Sequence, residues 1–220
     1  YSTGPDRSDA CLGQSHSGYE FSANHRHYWG QAAWDIGGAV RGTLPQLSDT
    51  PGSVYGVKSW EGASTILSAN MGLYWPFKVA NQSLSYRVTG QLQHAKTPIV
   101  PADYFTIGNR YSVRGFDGQR TLASENGWTL RNDLSLNLAG LIGVPSQELY
   151  TGLDVGRVGG PFSRYLSGRT LVGTVIGWRG RFALPFGAAS YDLSLGWPLH
   201  KPAALKTASP VGIAAILFEF

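Results

Sequence analysis

Cysteine is almost missing from this chain. Cys11 is the only one in 220 residues, so no disulfide can form within it. Charge is scarce too: Asp, Glu, Lys and Arg make up 15% of the sequence, well below the roughly one quarter of ordinary soluble domains. Long apolar runs are also lacking. No stretch approaches the roughly eighteen apolar residues of a membrane-spanning helix. Clusters of basic residues are missing as well. The formal net charge of +4 is spread along the chain, which does not support a nucleic-acid footprint. Nor is there a leader pattern, since Tyr1 opens directly on a polar run rich in Gly and Ser.

What is present is glycine, at 29 residues, and aromatic side chains, at 12%. Low charge, many glycines, many Trp and Tyr and no helical span fit a transmembrane β-barrel, whose polar lumen keeps mean hydropathy near zero. The same composition fits a soluble all-β sandwich. Patterning then separates the two. From Tyr19 onward, apolar and polar residues alternate with period two. Tyr19, Phe21 and Ala23 oppose Glu20, Ser22 and Asn24. Leu67, Ala69, Met71, Leu73 and Trp75 oppose Ser68, Asn70, Gly72 and Tyr74. Trp128, Leu130, Leu134 and Leu136 oppose Thr129, Arg131, Asp133 and Ser135, with Asn132 breaking the apolar face. Residues 170–180 are ambiguous, although Arg179 assigns its own set to the polar side. The count is about nine strands of roughly ten residues, the length of a tilted strand crossing a bilayer. Strands in soluble sandwiches are nearer five or six residues.

Connections sort by length. Those near 29–33, 77–83, 139–147 and 181–188 are short, and those near 43–63, 95–126, 158–169 and 199–211 are long. The two kinds alternate, as periplasmic turns and outside loops do in outer-membrane barrels. An odd strand count is at variance with the even number of bacterial single-chain barrels. The expectation is therefore the C-terminal part of a larger, exported barrel protein. Residues 1–18 would be the remnant of an outside loop, and 19–220 the C-terminal barrel portion.

The connection at about 96–126 carries an unusual load. Arg110, Arg114 and Arg120 lie among Phe105, Tyr111 and Phe116, with Gly108, Gly115 and Gly118 between them. Loops this long are usually functional. A loop folded back into a wet cavity needs this mixture: apolar groups to pack, a cation to pair, and glycines for tight reversals. Phe116 and Tyr111 are expected to seat it on the wall, and Phe105 and Ile107 to anchor its descending limb. On the residues alone, Arg114 is either a solvated loop cation or the partner of a strand carboxylate. Asp154 stands on the polar side of its strand between Gly152 and Gly156, whose small size leaves room for a guanidinium. Asp133 is the second choice.

Ile107-Gly108, Val113-Arg114-Gly115-Phe116, Gly127-Trp128, Arg131-Asn132 and Gly152-Leu153-Asp154-Val155-Gly156 together resemble the barrel of the two-partner secretion transporters, the TpsB proteins of the ShlB/FhaC/HecB type. The similarity runs from about Tyr19 to Phe220. It implies an all-β, sixteen-stranded outer-membrane barrel of which about nine C-terminal strands are present, preceded by POTRA domains. It also implies that the loop lies in the lumen with Arg114 paired to Asp154. The implied function is a non-enzymatic pore, without cofactor, that secretes a large unfolded adhesin- or hemolysin-like exoprotein. Outer-membrane lipid would be a further partner. The last residues resemble the signal of outer-membrane barrels, with Phe220, Phe218 and Ile216 on one side of a strand read by the insertion machinery through strand addition. An ordinary last strand has the same pattern.

Other readings compete. A barrel-assembly or passive channel role shares Val-Arg-Gly-Phe. A soluble carbohydrate-binding sandwich would use Trp29, Trp34, Trp60 and Trp75. The chain taken alone would expose two sheet edges, which argues that it does not function by itself. Asp133 and Asp154 as a general acid–base pair is a weaker reading than structural ion pairing. His16, His25 and His27 have spacing that suits a metal, but no third strong ligand is near, and an interfacial aromatic belt with Tyr28 and Trp29 accounts for them better.

Overall fold

A computed structural model describes residues 17–44, 64–138 and 146–219. Alternation of apolar and polar side chains gives strands wherever it runs long enough. The main strands are β1 (Gly18–Trp29), β2 (Ala32–Thr43), β3 (Thr65–Val79) and β4 (Gln82–Ala95), then β7 (Asn126–Asn137), β8 (Gln147–Gly159), β9 (Thr170–Leu184), β10 (Gly187–His200) and β11 (Val211–Glu219). They form one nine-stranded sheet in sequence order, antiparallel throughout, in which β1 and β11 do not pair with each other. There is no second large sheet packed face to face among the described residues, so the sandwich reading is set aside. Strands of 9 to 15 residues exceed the expected ten in most cases.

Register divides the sheet into two faces. Arg26, Asp35, Gly72, Thr89, Arg131, Asp154 and Gly173 follow one another across the strands on one side. The other side carries Phe21, Trp34, Ile36, Met71, Trp75, Leu134, Leu153, Ile176, Leu193, Ile216 and Phe218, all exposed. The ambiguous 170–180 stretch resolves with Leu171, Gly173, Val175, Gly177 and Arg179 on the Asp154 side. Asn132, the break in the apolar face, is satisfied locally: it accepts from the Tyr86 hydroxyl at 2.8 Å and donates to the Leu153 carbonyl at 3.0 Å. Aromatic side chains of the apolar face gather toward both ends. Trp29, Trp34, Trp75 and Trp178 lie toward the short turns, and Tyr19, Trp128 and Trp197 toward the long connections.

The turn between β3 and β4 places both Ala80 and Asn81 at positive φ, 46° and 68°, as tight two-residue hairpins require. The connection at 139–145, residues 1–16 and 45–63, and Phe220 lie outside the described residues. His16, Trp60 and the terminal Phe220 of the expected insertion signal are therefore among those not described.

The long connection between β4 and β7 is not structureless, as the sequence suggested. It contains a 3-10 turn at Pro101–Asp103 and a small hairpin, β5 (Phe105–Ile107) paired with β6 (Leu122–Ser124). This hairpin lies on the Asp154 face. Its Ile107, Val113, Phe116 and Leu122 are buried with Val158 and Leu171 of the sheet and Leu205 of the β10–β11 connection. Here the chain builds its own apolar core, on the side of the sheet that is otherwise polar.

Candidate functional site

Arg114 sits at the turn of this loop and reaches the sheet. Its Nε and Nη2 donate to Asp154 Oδ2 and Oδ1, both at 2.7 Å, and its backbone N–H donates to Oδ2 at 3.0 Å. The planar fork of arginine matches a carboxylate in this two-bond geometry, which lysine does not offer. Nη2 also donates to Asp133 Oδ1 at 2.5 Å. Both expected carboxylates are thus engaged at once. The Asp154 side chain is 0% exposed and that of Arg114 7%. A wet, exposed pair would be worth about 1 kcal/mol. Burial to this degree moves the cost of breaking it toward the roughly 3–5 kcal/mol of an interior pair. Burial would itself lower the pKa of Arg114. The hydrogen bonds to Asp154 and Asp133 outweigh it and raise the pKa, so the cation persists across the physiological range.

Glycines make this approach possible. A Cβ on Gly152 would lie 2.6 Å from Arg114 Nη2 and 2.7 Å from Asp133 Oδ1. A Cβ on Gly173 would land on the Arg114 carbonyl oxygen. Gly115 has φ of 91°, and a Cβ there would meet the Trp197 backbone. A Cβ on Gly196 would in turn stand 2.8 Å from the Gly115 Cα. The loop therefore rests on bare backbone of β9 and β10.

A wider ion network surrounds the pair. Arg131 Nε lies 3.8 Å from Asp154 and donates from Nη1 to the Tyr111 carbonyl at 3.1 Å. Arg179 lies 3.8 Å from Asp133, donates to Glu148 at 2.8 Å and to Ser135 at 3.0 Å, and stands 4.8 Å over the Tyr150 ring. Tyr150 donates its hydroxyl to Asp192 at 2.8 Å. Arg114, Arg131 and Arg179 thus alternate with Asp154, Asp133 and Glu148. The sequence reading did not select Arg131, Glu148, Tyr150, Gly173 or Gly196. The first three stand at polar-face positions, and the register implied by the short turns would have brought them together.

Val113 and Phe116 are buried in the loop core, and Gly115 is buried against β10. Tyr111 is a correction: it is 68% exposed. Its carbonyl rather than its ring holds the loop, and the Arg110 guanidinium lies 4.7 Å over that ring. Phe105 packs against the core as expected. Ile216 and Phe218 share the apolar face of β11, paired with Tyr191 and Ala189. His25 and His27 are neighbours on the apolar face, 6.3 Å apart and beside Trp34. Among the described residues no group of three or more His, Cys, Asp or Glu is placed to hold a metal.

The family model of the haemolysin secretion/activation protein ShlB/FhaC/HecB matches residues 12–180. The outer membrane transporter CdiB-2 of Burkholderia pseudomallei (strain 1026b) is 37% identical over 191 residues, covering 86% of this chain and 32% of that protein. Among solved structures, CdiB from Acinetobacter baumannii has a TM-score of 0.77 at 28% identity, over 94% of this chain and 34% of the other. CdiB from Escherichia coli has a TM-score of 0.72 at 18% identity, over 93% and 37%, a likeness of fold. The chain spans about a third of the length of these relatives.

Proposed function

This chain belongs to the ShlB/FhaC/HecB family of haemolysin secretion/activation proteins, and on that footing we propose that it is the C-terminal barrel portion of an outer-membrane pore. The pore secretes one large, unfolded exoprotein of adhesin or hemolysin type in two-partner secretion. The apolar face meets outer-membrane lipid, and the Asp154 face lines the lumen. The 96–126 loop occupies that lumen, where Arg114 with Asp154 and Asp133 holds it in the secretion-competent position. β11 carries a signal read through strand addition, with Ile216 and Phe218 on its apolar face. No chemical step is assigned to Asp133 or Asp154, because both carboxylates are engaged by Arg114.

One observation carries this reading: the two-bond seating of Arg114 on Asp154, 40 residues apart in sequence. The test is Arg114→Ala in the transporter in its native membrane. Outer-membrane abundance and heat-modifiable migration stay as in the parent, while the exported partner in the medium falls by about tenfold or more, in line with loss of a buried pair. Arg114→Lys keeps the charge without the fork and falls between. Normal export by Arg114→Ala takes the loop out of the mechanism.

A further inference from the structure

Several cations on the Asp154 side of the sheet have no carboxylate partner among the described residues, and two of them stand at one cavity. Arg87 of β4 stacks 5.5 Å over Tyr74, and Arg110 of the loop stacks 4.7 Å over Tyr111. Neither has a carboxylate partner among the described residues. Both line the same cavity of about 580 Å³, together with Arg179 and Arg181. Ser146 and Ser190, also in its lining, place it toward the short-turn end. Its carboxylates are already in use. Glu148 accepts from Arg179, and Asp192 accepts from Tyr150. Arg181 is paired with Glu219. Tyr150 is a neutral donor, so Asp192 keeps its charge, but the lining still sets four guanidiniums against two carboxylates, and Arg87 and Arg110 have no ion-pair partner among the described residues. Its other border is aliphatic, from the side chains of Ala215 and Leu217 of β11, opposite Asp192 and Ser190.

We propose that this cavity is a docking station for an extended polypeptide segment that carries carboxylate side chains, entering from the short-turn end. Guanidinium pairs favour carboxylates through two-bond contacts, and the Tyr rings beneath them hold the planes in place. A cavity bordered by aliphatic side chains suits a segment that mixes acidic and apolar residues. A free phosphate would satisfy the charges but leave the aliphatic border exposed. Arg110 projects from the same loop that Arg114 holds, so occupancy of the station and seating of the loop are mechanically linked. The assignment of this segment to the exported partner rests on the secretion reading above, whereas the charge preference of the cavity does not.

The test uses the complete transporter, purified in detergent, and a short fluorescent oligoglutamate peptide. Binding is followed by anisotropy, with an oligolysine peptide of equal length and inorganic phosphate as competitors. The parent binds oligoglutamate, oligolysine does not compete, and inorganic phosphate competes only at the concentrations at which any salt screens. The double variant Arg87→Ala/Arg110→Ala binds roughly tenfold more weakly, as expected for losing two partly exposed ion contacts. Arg87→Lys/Arg110→Lys keeps the charge without the fork and falls between. Heat-modifiable migration verifies that each variant is folded. Equal binding by the parent and the double alanine variant, or no binding by the folded parent, overturns the proposal. Competition by phosphate at low concentration would assign the cavity to a free anion and overturn it also. If Arg114→Ala secretes normally while oligoglutamate still binds, the secretion mechanism falls and the docking station stands. The reverse pair of results removes the station alone.

Discussion

At the scale of single residues, the loop is held by what glycine omits as much as by what arginine supplies. The Arg114 carbonyl occupies the place of a missing Cβ on Gly173. Gly173→Ala must therefore lift the loop, or bend β9 away, at a cost of about 1–3 kcal/mol for forcing a methyl into a filled space. Limited proteolysis of the transporter in membranes reads this directly, as faster cleavage within 96–126. Gly159→Ala is the control, since a Cβ there meets nothing within 4 Å. Equal cleavage of parent and Gly173→Ala would show that the loop–wall contact yields freely. Asp154 stood out in the sequence as a carboxylate between two glycines on a strand, whereas Arg114, one of three arginines among loop glycines and aromatics, was singled out only by the family resemblance. Gly173 and Gly196 were not legible. Their meaning depends on which backbone passes over them, and alternation along one strand does not contain that. Tyr111 failed for a related reason. An aromatic ring in a loop packs inward or stacks on its neighbour with equal ease, and here Arg110 provides the neighbour.

At the scale of elements, the loop is tied to the β10–β11 connection as well as to the wall. Asp117 accepts from the Ala208 backbone N–H at 2.8 Å and the Gln119 N–H at 3.0 Å, and its own N–H donates to Thr207 at 3.1 Å. Leu205 of the same connection enters the loop core. The Ala208 amide, chief among these donors, holds the Asp117 carboxyl below its usual value. A carboxyl with a lowered folded-state pKa contributes its stability above the unfolded value of about 3.9 and loses it as pH falls through the folded one. Amide hydrogen exchange in 201–210, corrected for intrinsic rates, should therefore be flat from neutral pH down to about 4 and rise only below it. Asp117→Ala should raise exchange at neutral pH and abolish the acid-dependent part. An unchanged profile would mean that Leu205 alone secures the connection. This tie escaped the sequence reading, as did the β5–β6 hairpin. Three-residue strands are too short to show a period, and a carboxylate that caps a distant backbone leaves no spacing signal. The long strands were legible for the opposite reason: nine to fifteen alternating residues give the period many repeats.

At the scale of the whole molecule, strand direction fixes which connections share a side. β1 begins at Gly18, opposite Thr43, where β2 leaves for the 44–64 connection, and the Leu44 N–H donates to the Ser17 carbonyl at 2.8 Å. Ser17 therefore lies at the same end as the long connections at 96–125, 160–169 and 201–210. Two aromatic bands at opposite ends of the apolar face mark where a bilayer would meet water. Cys11 is the only thiol in the chain. In a Cys11→Ser background, with the long connections facing outward, Ala204→Cys in the β10–β11 connection should be labelled by a membrane-impermeant maleimide added to intact cells. Ala80→Cys in the β3–β4 turn should be labelled only after the outer membrane is permeabilised, because that turn lies at the other end of every strand. Labelling of Ala80→Cys on intact cells, with protection of Ala204→Cys, would invert the sheet in the membrane. It would also place the Arg87–Arg110 cavity at the outer mouth, where it would meet a segment leaving the pore rather than one entering it.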